Sequence, residues 1–506
     1  MTSKGLEAQL GGQNPHGSTF VRDEDLEKPQ SHKSAGEDKL QDGTTASEVD
    51  WQDSPENPHN WPWSKRIWQI AVTGLMGLLV TFGSSVYTPG NAEVAERFHV
   101  SDTAAVLGLS LYTLGLGFGP VLAAPVSETL GRLVVYRTSI FVFILFTLGA
   151  GFSQTFAALC ACRFLAGMTG GPVLAVGGGT MADLLPVHYR GIGGATFLLA
   201  PFLGPALGPF IGGFAVQYKN WRWTQWVTLF AAVPILLCCF TTPETYQKII
   251  VKRLAKRQGK PIPAAGPKGK AAVKFLLTVT LIRPLVMLFT EPIVTSFAAY
   301  TAFIFTVLFG FFDAFPIVFG GVYGFDLSQT GLVFLAIGLG CMVALLIIIL
   351  IDQKIYFKLY LQIKAEGGTK VAPEHRLYAA MLGSLLIPIG LFWFAWTARR
   401  EVHWISPVLS AVPFACGNLL VFWASASYLI DVYGPLNGAS SLAANSLARY
   451  TLSAAFPLFT VQMYEKLGID WATSLLGFVA LAFLPIPWIL FRWGPKIRQK
   501  SRYDTT

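Results

Sequence analysis

GPALGPFIGG, residues Gly204–Gly213, lies in the middle of an apolar run from about Ile192 to Val216. Gly204, Gly208 and Gly212 recur every four residues, so a helix gathers them on one face and leaves that face without side chains. A second helix backbone can then approach closely. Pro205 and Pro209 each remove a backbone donor, which breaks a helix in water but is tolerated in a bilayer where neighbouring groups take up the freed carbonyls. The stretch reads as a kinkable, closely packed membrane span. Its spacing alone fits a helix seam in any polytopic protein.

Runs of similar length surround it. The 506-residue chain is 53% hydrophobic and 13% charged, and its apolar stretches repeatedly reach the roughly 20 residues that cross a bilayer as helix. We place twelve spans at 67–88, 104–124, 134–154, 157–182, 192–216, 224–241, 288–312, 328–351, 376–397, 404–431, 438–463 and 471–492. The predicted fold class is an all-α integral membrane protein. All six cysteines fall inside apolar runs, where a free thiol behaves as a small hydrophobe, so neither disulfides nor a metal site is expected. No His, Asp or Ser cluster with catalytic spacing lies within the spans, which argues against an enzyme.

The first 56 residues hold twelve acidic side chains against five basic ones and no apolar run. Residues 1–66 therefore read as a disordered tail without a signal peptide, entering the membrane only at the first span. Lys65 and Arg66 precede that span. Arg132, Arg137, Arg190, the basic residues from Lys248 to Lys274, Lys354, Lys358 and Arg376 occupy the even-to-odd connections, so these loops and both termini are expected in the cytosol. The net charge of +9 belongs to these membrane-flanking segments, and no nucleic-acid partner is expected.

Residues 242–287 form the one long connection, and KRQGKPIPAAGPKGK within it suits a flexible linker on an anionic leaflet, at about 1 kcal/mol per basic residue. The linker separates a six-span bundle at 67–241 from another at 288–492, with a cytosolic tail at 493–506. Traces of repetition support two pseudo-symmetric halves. Gly193-Gly194-Ala195 opens span 5 as Gly438-Ala439-Ser440 opens span 11, and Val216-Gln217 closes the former as Val461-Gln462 closes the latter. Two repeated halves describe a transporter rocking about a central site.

Several motifs carry a family resemblance. GPVLAAPVSETLGRLVVY (Gly119–Tyr136) resembles the span 2–3 signature of the major facilitator superfamily, Leu159 with Arg163 and Gly167 the span 4 signature, and GPALGPFIGG, with Gly204, Gly208, Pro209, Gly212 and Gly213, the span 5 signature of its antiporters. ENPHNWPWSKR (Glu56–Arg66), PETY (Pro243–Tyr246) and RPLVMLFTEP (Arg283–Pro292) are similar to the fungal twelve-spanner drug:proton antiporters. Leu133, Ala166 and Ala195 depart from the usual patterns. The resemblance implies a functional monomer that uses the proton gradient and no cofactor, with small molecules, protons and the lipid bilayer as partners. It also implies a plasma-membrane location, with the vacuolar membrane second.

Candidate residues follow. Glu128 and Arg132, four apart at the surface, form a possible latch, and Arg132 also has Asp183 within its range. Arg163 lies inside span 4, where a charge costs at least about 2.5–3.5 kcal/mol and needs a partner. The resemblance gives it the role of tuning a nearby acid, and Arg449 in span 11 invites the same role. For both, a structural bond to backbone carbonyls is the alternative. A proton carrier needs a carboxylate whose pKa burial lifts toward neutrality. Glu291 is the first choice, with Pro292 leaving a plainer role at a helix entry open; Asp313, Asp183 and Asp431 are the others. Phe297, Tyr300, Phe303, Phe414, Asn418, Trp423 and Tyr428 give spans 7 and 10 an aromatic lining for bulky, partly apolar cargo, although lipid-facing positions suit such rings equally. The expected function is proton-coupled export of drug-like, toxic or secondary-metabolite molecules by alternating access. Proton-coupled uptake and polyamine export are the alternatives, and deep arginines in place of cavity acids disfavour a polycation.

Overall fold

Backbone groups inside a bilayer must pair within their own segment, and each apolar run does so as helix. The computed structural model describes residues 51, 54–186, 189–258, 278–368, 371–503 and 505. The expectation for residues 1–50 and most of the basic linker stretch lies outside these.

Spans 1 to 6 are Trp63–Ser85, Leu107–Leu130, Arg132–Phe152, Phe156–Gly170 with Pro172–Leu184, Arg190–Tyr218 and Trp223–Thr241. Spans 7 to 9 are Pro292–Phe315, Leu327–Val333 with Leu335–Ile351, and Leu377–Thr397. One helical run, Ile405–Ala455, holds span 10 and most of span 11, folded at Gly434, whose φ of +68° only glycine adopts without strain. Span 11 continues past Pro457 to Gly468, and span 12 follows to Arg498. Eleven helices among the described residues are long and apolar enough to cross a membrane. The run expected at 438–463 is helical but too polar to count among them. Its polar residues Ser441, Asn445 and Ser453 are buried, and Asn445 Oδ1 accepts a 2.8 Å hydrogen bond from Thr301 of span 7.

The structure corrects three boundaries. Span 8 runs on through Phe357–Ala365, well past residue 351, because lysines along the extension let it leave the apolar layer. Residues 54–66, assigned to a disordered tail, are ordered: Asn57 caps the Pro58–Asn60 turn, Arg66 Nε donates to Trp61 O at 2.8 Å, and Trp61 packs with Met181, Leu184 and Phe197. The linker begins with an ordered helix, Gln247–Arg257.

Span 5 stays one helix despite Pro201, Pro205 and Pro209. Its glycine face is turned to span 1 of its own half and not across the halves: a Cβ on Gly204 would lie 2.6 Å from Phe82 N, and one on Gly208 2.7 Å from Val86 N. Ala206, Pro209 and Gly213, roughly 100–160° further round, meet span 8 of the other half instead. There a Cβ on Gly331 would lie 2.6 Å from Pro209 O. Span 2 meets span 11 across the opposite seam, where a Cβ on Gly117 would lie 2.9 Å from Tyr450 Cβ.

Candidate functional site

Polar chemistry gathers at three levels, at the two ends and between them. At the end carrying the linker helix, Gly131 turns the chain with φ +102° and delivers Arg132 to the start of span 3. Its guanidinium meets Asp183 at 3.3 Å, donates to Ser127 Oγ at 2.9 Å and covers the Tyr246 ring. Glu244 of the PETY segment is buried and accepts from the backbone N–H groups of Arg132, Leu133, Thr245 and Tyr246, at 2.9, 3.2, 3.1 and 3.0 Å. An anion at a helix N-terminus is doubly favoured, by unpaired donors and by the dipole. Glu128, by contrast, is exposed and makes no ion pair among the described residues. Of the two contacts expected of Arg132, the one to Asp183 is present and the one to Glu128 is absent, because the turn at Gly131 places Arg132 on the next helix. We expect Glu244→Ala to cost about 1–3 kcal/mol, since it strands buried donors, and Glu128→Ala to stay within about 0.5 kcal/mol; thermal unfolding of the purified protein compares them.

A matching cluster sits in the second half. Arg376, at the start of span 9, contacts Asp352 at 3.2 Å and Asp431 at 2.9 Å, with its guanidinium 3.6 Å over the Tyr356 ring. Glu374 pairs with Arg498 at 2.8 Å. Gly191 of span 5 is seated on this cluster, so close that a Cβ there would lie 3.0 Å from Arg376 Nη1, and Trp423 Nε1 donates to Gly191 O at 3.2 Å. Asp431 thus marks a cluster as Asp183 does, while the roles of Asp352, Arg376 and Glu244 were not anticipated. The available signal was repetition: Arg376 opens span 9 as Arg132 opens span 3.

At the far end two glutamines clasp the halves. Gln217 Oε1 accepts from Ser328 N at 2.8 Å, and the Gln462 amide shares a 2.9 Å hydrogen bond with the Thr103 hydroxyl. These are the glutamines that close the repeated Val-Gln pairs.

Between the ends lie two buried arginines. Arg163 donates to Gly108 O at 3.1 Å, Gly83 O at 2.6 Å and Ser84 O at 2.9 Å, and packs over Tyr87 and Tyr112. Gly83 and Ser84 offer carbonyls from the last turn of span 1, where the helix leaves acceptors unpaired and favours a cation. Arg163 has no acidic partner among the described residues, so the backbone-carbonyl arrangement is the one present. Arg449 is buried too, its guanidinium 4.4–4.5 Å from the rings of Phe305, Phe422 and Tyr450, and its Nε has no hydrogen-bond partner.

Glu291 lies at the linker end, not midway. It accepts from Tyr433 Oη at 2.9 Å, Ser501 Oγ at 2.8 Å and Arg502 N at 3.1 Å, and so ties the C-terminal segment to the start of span 7. Asp313 is buried with Oδ2 unpartnered. The aromatic candidates are buried rather than lipid-facing, except Phe303, which is half-buried, but they do not converge. Phe297 packs on Tyr428, Tyr300 stacks on Phe483, Asn418 donates to Ile304 O at 3.2 Å, and Trp423 reaches across to span 5. Phe202, Phe305 and Phe422, which surround the seam near Arg449, were missed, because rings on three distant spans share no spacing.

Similarity to known proteins agrees with this architecture. Residues 73–457 match the model of the Major Facilitator Superfamily. The chain is 40% identical to polyamine transporter 4 of Saccharomyces cerevisiae, over 90% of this chain and 73% of the relative. It is 39% identical to an MFS-type efflux pump of Trichophyton rubrum, over 90% and 77%. Among solved structures it superposes on a partially occluded inward-open form of the xylose transporter XylE from E. coli with TM-score 0.59 and 17% identity, covering 85% of this chain and 98% of that one. With its helical halves and seams in place, this chain is a multi-pass membrane transporter, not an enzyme, and belongs to the Major Facilitator Superfamily.

Proposed function

We propose that the chain is a proton-coupled antiporter that exports drug-like, toxic or secondary-metabolite molecules, working as a monomer in the plasma membrane with both termini cytosolic. The observation that carries it is that, beside the helix packing at the two seams, the halves share only a few individual hydrogen bonds at each end among the described residues. Trp423 bonds Gly191 at the linker end; Gln217 bonds Ser328 and Gln462 bonds Thr103 at the other. Each such bond contributes about 0.5–1.5 kcal/mol, so one end can open while the other holds, as alternating access requires. The efflux name of the Trichophyton relative supports the outward direction, and basic residues around the linker helix support a cytosolic face there. The yeast relative's name favours polyamines as a second reading; deep Arg163 and Arg449 oppose it, since a polycation gains nothing from cations.

Asp313 is our choice of proton carrier over Glu291, because Glu291 has both oxygens engaged whereas Asp313 is buried with a bare oxygen. A proton removes the cost of an unpaired buried charge. Efflux from intact yeast expressing the chain, measured across dyes, azoles, polyamines and fungal toxins with and without an uncoupler, tests the proposal. Uncoupler-sensitive export is expected, and Asp313→Asn is expected to lower it about a hundredfold, while Glu291→Gln keeps it. Export that survives collapse of the proton gradient rejects the coupling, and full export by Asp313→Asn rejects that carrier.

A further inference from the structure

Arg163 and Arg449 are both buried in the middle of the molecule, but only one is satisfied. Three carbonyl oxygens fill the edge of the Arg163 guanidinium. Arg449 has aromatic rings against it and, among the described residues, neither a carboxylate nor a carbonyl on its N–H groups. Rings stabilise a cation through their faces and accept nothing from N–H groups lying in the guanidinium plane. That plane is a fork whose geometry matches a carboxylate, two parallel N–H bonds to two oxygens.

The surroundings place this fork at the seam between the halves. Phe305 belongs to span 7, Phe422 to span 10 and Tyr450 to span 11, while Phe202 of span 5 packs on Phe305 at 5.3 Å and on Phe422 at 5.2 Å. Span 2 closes on Tyr450 from the other side at Gly117. Both halves therefore build the enclosure, and movement of one against the other must change it.

We propose that Arg449, with Phe305, Phe422 and Tyr450, is the recognition point for an anionic cargo: a molecule carrying a carboxylate or a similarly delocalised oxyanion beside a flat apolar body. The carboxylate completes the guanidinium's hydrogen bonds, and the flat body stacks among rings parted as the halves move. This deepens the export reading and rests on it for the statement that the bound molecule is transported.

Full-length protein in lipid nanodiscs tests it by equilibrium binding of three probes sharing one ring system: naphthoate, naphthamide and naphthylmethylammonium. Naphthoate is expected to bind at least about tenfold more tightly than the amide, with the ammonium weakest. Arg449→Gln should bring naphthoate down to the level of the amide without weakening the amide comparably. Arg449→Lys, which keeps the charge and loses the fork, should retain part of the preference. Equal binding of the three probes by the wild type, a uniform loss in Arg449→Gln, or no binding of any probe overturns the proposal. Flux of the same probes in proteoliposomes separates the two claims. Arg449-dependent binding without flux supports the site and rejects export, whereas flux indifferent to Arg449 rejects the site alone.

Discussion

Arg376→Ala is expected to lower the stability of the folded protein by about 3–5 kcal/mol. Asp352 is 3% exposed and Arg376 7%, so removing the guanidinium leaves a carboxylate with neither water nor a cation. Arg376→Met keeps much of the volume and should lose nearly as much, which separates charge from packing. Adding Asp352→Asn to Arg376→Met should recover part of the loss, because the stranded charge disappears with its partner; a double-mutant cycle of thermal unfolding reads the coupling directly. The Arg399–Asp470 pair is the control. Its side chains are 44% and 39% exposed, and breaking it should cost about 0–1 kcal/mol. Equal losses at the two sites would show that burial does not govern the Arg376 cluster. The cluster is also the seat of Gly191, so its collapse should loosen span 5 from the second half at the linker end and weaken the Trp423–Gly191 bond. Destabilisation and altered access should therefore appear together at Arg376, but not at Arg399.

What was legible in the sequence was whatever repeats along one helix. Apolar length placed most spans within a few residues, though not the far end of span 8, and four-residue spacing identified a close face on span 5. The 245-residue offset between Gln217 and Gln462 anticipated two equivalent positions, each of which bonds the opposite half. Partners that depend on the third dimension were not legible. Spacing offered Glu128 to Arg132, yet Glu244, 112 positions away, holds the start of span 3. A bare glycine face says only that something comes close, and span 1 is what does. Arg449 was recognisable as a costly charge; its aromatic surroundings come from spans 7, 10 and 11, and no local pattern joins them. Glu291 drew notice as an acid at the start of span 7, with Pro292 leaving a helix-entry role open, and burial alone cannot separate a proton carrier from a knot of hydrogen bonds.

Gly208→Val should be severely damaging, leaving little folded protein to recover. Backbone, not a flexible side chain, stands where its Cβ must go: Val86 N lies 2.7 Å away, with the Ser85 side chain nearer still. Span 1 must then shift bodily, and the Ser85 Oγ to Gly204 O hydrogen bond of 3.2 Å is lost with it. Even Gly208→Ala should cost about 1–3 kcal/mol by overpacking, against a gain of about 0.5–1 kcal/mol that alanine brings to an unobstructed helix position. Gly194, in the same helix with nothing within 4 Å of its Cβ direction, is the matched position, and Gly194→Ala should be neutral or mildly stabilising. Melting followed by size-exclusion chromatography distinguishes them, and identical melting of the two alanine variants would refute the close span 1–span 5 contact. Gly331→Ala tests the other face of span 5. It crowds Pro209 O at 2.6 Å, but across a seam that must slide, so part of the strain falls on whichever state is packed most closely there. Its expected signature is slower transport with a smaller loss of stability than Gly208→Ala. Span 5 would then have one face fixed to span 1 and another that moves against span 8.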